Sequence, residues 1–84
     1  MVLLAITSAG LKDAMRLASE KNVSVWCGAD AVPEAEYQAG SCPGVSRFIY
    51  PLQGAPANVL AGALDTIEEH HPGETVWVEG RCEA

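Results

Sequence analysis

Basic residues are scarce in this chain: five lysines and arginines stand against eleven aspartates and glutamates, a formal charge of −6. Such a balance repels a polyphosphate backbone unless the cations share one face, so direct nucleic-acid binding is not expected. The cations gather only in part. Lys12, Arg16 and Lys21 precede residue 22 with Asp13 and Glu20, whereas the remainder sets Arg47 and Arg81 against all the other acids. Long apolar runs are missing as well. Val2–Ile6 falls far short of the roughly 20 residues that cross a bilayer, and no membrane association is expected.

Cys27, Cys42 and Cys82 make no CxxC pair, and no basic leader precedes the first apolar run. These lacks argue against a zinc framework and a secretory signal, and lead us to expect reduced thiols in the cytoplasm. Neither GxGxxG nor a P-loop is present, so no cofactor is implied. Repeats, low-complexity tracts and linker-like stretches are also absent, which leaves a single α/β domain over residues 1–80 and a C-terminal tail at 81–84.

What remains is a composition suited to folding: 84 residues, 49% hydrophobic and 19% charged. A domain of this size has a modest core, and self-association adds to what it can bury. Val2–Ile6 is apolar at odd and even positions alike, as in a strand covered on both faces. Leu11, Ala14, Met15 and Ala18 then follow the helical period, with Asn22 placed to end the helix. Residues 23–27 read as a second strand. Pro33 and Gly40 bracket a short helix at 33–39, and 45–50 reads as a third strand limited by Pro51. Pro56 opens a long helix with the stripe Val59, Leu60, Ala63, Leu64 and Ile67. Pro72-Gly73 stops it before a fourth strand at 75–79.

This order predicts a small four-stranded sheet with two main helices and one short one, parallel in the order 2-1-3-4. If residues 33–39 were mere loop, the alternative is a ferredoxin-like βαββαβ fold with an antiparallel sheet. In the parallel arrangement, strands one and three are neighbours. The turns Thr7-Ser8-Ala9-Gly10 and Gln53-Gly54-Ala55-Pro56 then share a crevice at their carboxyl ends.

Thr7, Ser8, Gly10 and Lys12 stand where hydroxyls, backbone N–H groups and a positive helix end can hold a phosphate or carboxylate, with Gln53 and Asn58 facing the same crevice. The competing reading makes Thr7 or Ser8 a simple helix cap. Cys27 is expected to be buried and Cys42, in Ser41-Cys42-Pro43-Gly44, to meet solvent. The only histidines, His70 and His71, sit together at the far end of the long helix, so neither thiol shows a base beside it. Their adjacent positions do not form an i, i+4 metal pair, and their expected role is to contact the last helix carbonyls. Asp65, Glu68 and Glu69 share one face of the long helix, suited to solvation or to docking a basic partner. Trp77 sits opposite Val76 and Val78 on an edge strand, where a second copy can pair.

No catalytic residue or metal ligand emerges, so a non-catalytic protein-interaction or regulatory module is the first expectation, with an unidentified protein partner or a homodimer. A small-ligand or enzymatic domain with its site at Thr7–Gly10 and Gln53–Pro56 is the alternative. An acidic nucleic-acid-mimicking inhibitor is the third.

Overall fold

The protein is described by a computed structural model covering residues 1–20, 23–40 and 42–79. Its elements alternate as β1 (Val2–Ala5), α1 (Ser8–Glu20), β2 (Ser24–Cys27), α2 (Glu34–Gln38), β3 (Val45–Arg47), α3 (Ala57–His70) and β4 (Val76–Val78). All pairings are parallel, and the antiparallel alternative is excluded.

The strand order is β3-β2-β1-β4 and not 2-1-3-4. The connection through the short α2 moves only one place outward, setting β3 beside β2. The long α3 then returns behind the sheet to the open side of β1, where β4 pairs. β1 is therefore interior, as its two-faced apolarity requires. β4 occupies an edge, which suits its half-exposed side chains.

The sheet separates two clusters. On one face Ala5, Val25, Cys27 and Val45 pack with Leu11 and Ala14 of α1, and with Ala31, Val32 and Cys42 of the β2–β3 connection. On the other, Val2, Leu4, Ile6, Phe48 and Leu52 meet Ala63 and Ile67 of α3. Ala63 and Ile67 are the buried residues of the predicted α3 stripe, whereas Val59, Leu60 and Leu64 border it.

Several boundaries move for local reasons. α1 begins at Ser8, ahead of the apolar period, because Thr7 caps it: the Gly10 N–H donates to Thr7 Oγ1 at 3.1 Å and the Leu11 N–H to the Thr7 carbonyl at 2.9 Å. β3 ends at Arg47, shorter than predicted. After it the Phe48 N–H reaches the Cys27 carbonyl at 2.8 Å, and Ile49 turns outward, 89% exposed. Pro33 and Pro56 stand just before their helices at the capping position. Cys42 is buried, contrary to expectation, because its loop folds over the α1 face of the sheet. The proposed helix end at Asn22, Cys82 and the tail lie outside the described residues.

Among the described residues no helix is long and apolar enough to cross a membrane.

Candidate functional site

The parallel topology turns the amino end of α1 toward the carboxyl ends of β1 and β4. A strand–helix turn leaves its first N–H groups without helical partners, which favours an anion there. The chain supplies one. Glu79, one residue past β4, is held in register when its N–H donates to the Leu4 carbonyl at 2.9 Å. Its Oε1 accepts the N–H groups of Ile6 and Thr7 at 2.7 and 2.8 Å, and its Oε2 accepts the Thr7 hydroxyl at 2.6 Å. Thr7 Oγ1 thus donates to Glu79 while accepting from Gly10. Gly10 is required by this approach, since a Cβ there would collide with the Glu79 carboxylate.

The predicted site residues are dispersed around this contact. Thr7 and Gly10 belong to it. Ser8 and Lys12 instead border a separate groove of about 420 Å³ floored by Leu11, Met15, Ala31 and Val32. Gln53 and Asn58 are exposed and border neither groove; the backbone N–H of Gln53 donates to Asp30 Oδ2 at 3.1 Å, and that of Leu52 to Asp30 Oδ1 at 3.2 Å. The shared crevice of strands one and three fails with the order that implied it, because β2 lies between them. Asp65, Glu68 and Glu69 are all exposed on α3.

Trp77 is 59% exposed. It faces a second groove of about 380 Å³ between β4 and α1, shared with Leu3, Asp13, Ala14, Leu17 and Glu79. Leu17 is 47% exposed and adds to this apolar wall. Asp13 pairs with Arg16 at 3.5 Å across one helical turn.

Among the described residues nothing pairs with the outer edge of β4. Val2 N–H to the Thr75 carbonyl and Glu79 N–H to the Leu4 carbonyl, both 2.9 Å, fix which residues face β1. The alternation of the ladder therefore turns the N–H and C=O groups of Val76 and Val78 outward. No described residue bonds to them. The opposite edge is closed only in part: on β3 the Val45 N–H donates to the Cys42 carbonyl at 3.3 Å and the Val45 carbonyl accepts the Tyr37 hydroxyl at 2.6 Å, while the same alternation turns the main-chain groups of Arg47 outward.

The described thiols and imidazoles do not assemble a reactive centre. Burial, then the neighbouring Cys42 thiol, pushes Cys27 up to about 11, against a smaller opposing pull from Arg47. A thiol so placed is a poor nucleophile at neutral pH. The His71 ring does not contact helix carbonyls as expected. It takes the Trp26 indole N–H on Nε2 at 3.3 Å and meets Glu74 Oε2 through Nδ1 at 3.1 Å, while His70 lies 5.3 Å from Trp26 between ring centres. No cluster of metal-ligating side chains occurs among the described residues.

Sequence reasoning missed Glu79 and Leu17. Searches against protein-family models, curated proteins and solved structures match this chain to none of them.

Proposed function

We propose that this chain is a non-catalytic protein-interaction or regulatory module that binds by accepting an extended strand on the outer edge of β4. The open edge at Val76 and Val78 carries this reading. Outward N–H and C=O groups supply main-chain hydrogen bonds, and the adjoining groove at Trp77 and Leu17 receives an apolar side chain. At the turn, the Ile6 and Thr7 N–H groups and the Thr7 hydroxyl are meanwhile taken by Glu79.

The groove beside Ser8 and Lys12 favours a second reading. Above the apolar floor of Leu11, Met15, Ala31 and Val32, Lys12 offers a small amphipathic carboxylate one cation, against Glu36 on the same lining.

An amide-shift titration of the ¹⁵N-labelled chain separates the two. Short extended peptides of alternating threonine and valine are expected to shift Leu17, Val76, Val78 and the Trp77 indole. Phosphate and octanoate are expected to leave Ser8 to Lys12 unmoved. No response to any peptide, with saturable shifts at Ser8, Lys12 and Ala31 on adding octanoate, would replace the first reading by the second.

A further inference from the structure

We infer that the strand received by β4 is β4 of a second copy, paired antiparallel about a two-fold axis at Trp77; this rests on the strand-addition reading above. The register follows from the edge itself. Only Val76 and Val78 direct hydrogen-bonding groups outward, so Val76 of each copy pairs with Val78 of the other and exchanges both bonds. Trp77 then faces its own counterpart in the non-hydrogen-bonded position, where side chains approach most closely. The product is one eight-stranded sheet with the two α1 helices on the same face.

The space above the seam fits this occupant. α1 packs on both β1 and β2, so its axis lies about two strand spacings from the two-fold axis, and the paired helix axes are about 19 Å apart. Helices about 10 Å in diameter leave a gap of about 9 Å, room for two indoles flanked by Leu17 of each copy. The groove of about 380 Å³ is half of that gap.

The make-up of the strand suits a second copy. The segment Thr75–Val78 carries no charge, proline or glycine, so it lacks the usual guards against edge pairing. Two copies of a −6 chain meet there without opposed carboxylates on the strand.

Sedimentation velocity from micromolar to millimolar chain tests the pairing. The parent should approach twice its 8.8 kDa mass, and Trp77→Lys, altering an exposed side chain, should raise the dissociation constant at least tenfold with an unchanged circular dichroism spectrum. A Trp77→Cys/Cys82→Ser chain treated with oxidised glutathione should form a covalent dimer, and Thr75→Cys/Cys82→Ser should form much less. A parent that stays monomeric, with no covalent dimer from the Trp77→Cys chain, overturns self-pairing. Equal crosslinking at both positions overturns the register. Strand addition as such fails only on the separate result that no peptide shifts the β4 amides.

Discussion

Gly10 and Glu79 are coupled: the missing side chain of one makes room for the carboxylate of the other. That carboxylate joins the end of β4 to the start of α1, across 69 positions in the chain, by accepting the N–H groups of Ile6 and Thr7 just ahead of the helix.

Gly10→Ala should therefore destabilise the fold, although alanine is the better helix former by up to about 1 kcal/mol. Ejecting Glu79 gives up hydrogen bonds to a charged acceptor that are only part-buried, so water recovers much of their worth, and a net loss of about 1–3 kcal/mol is expected in urea unfolding. Glu79→Ala should lose a similar amount, and the double variant little more than either alone. A stabilised Gly10→Ala chain would show that the carboxylate contributes nothing.

Ile67 is fully buried against Val2 and Leu4, whereas Leu64 lies at the cluster's border. Ile67→Ala should cost about 2–5 kcal/mol and Leu64→Ala distinctly less, read from the same denaturant midpoints. The reverse order would rotate α3 on the sheet.

Cys27 gives an alkaline signature. Its thiol ionises near 9.0 in the ordinary state and about 11 in the fold, so between these values the unfolded chain has lost a proton that the folded chain keeps. Its contribution to stability is whole below pH 9 and falls as pH rises toward 11. Cys27→Ala should flatten that decline, whatever its effect at neutral pH. Ellman's reagent should react slowly with Cys27 and Cys42 in the native chain and fully after denaturation.

His71 accepts the Trp26 N–H on Nε2, which leaves the ring proton on Nδ1 facing Glu74. Ring ¹⁵N shifts of the neutral imidazole should report the Nδ1–H tautomer, reverting toward Nε2–H in Trp26→Phe. The Glu74 carboxyl is held below its ordinary value, first by the N-terminal ammonium and then by His71. This contribution is present at neutral pH and disappears as pH falls through the acidic range.

The elements were legible because apolar period and punctuation agree: Val2–Ile6 reads as a covered strand, and Pro56 and Pro72 bracket α3. The order of the strands was not. It depends on which side of the β1–β2 pair α2 carries β3, and then on where α3 carries β4, global choices that no local pattern in 28–44 or 57–70 encodes. Placing β3 beside β1 also hid Glu79, since an acid at the end of strand four gains meaning only once β4 pairs with β1. Cys42 misled for a related reason: Pro43 and Gly44 mark a turn correctly but do not reveal that the turn folds over Ala31 and Val32. Alternation puts Trp77 on the α1 face, and its exposure follows because α1 lies over β1 and β2 and leaves the edge strand uncovered.

Hydrogen exchange at Val76 and Val78 tests the open edge most directly. Both amides should exchange quickly in dilute solution and gain at least tenfold protection as chain concentration rises, while Trp77, whose N–H faces β1, stays protected throughout. Fast exchange at Val76 and Val78 at every concentration, also unchanged by added strand peptides, would contradict β4 as the interaction surface.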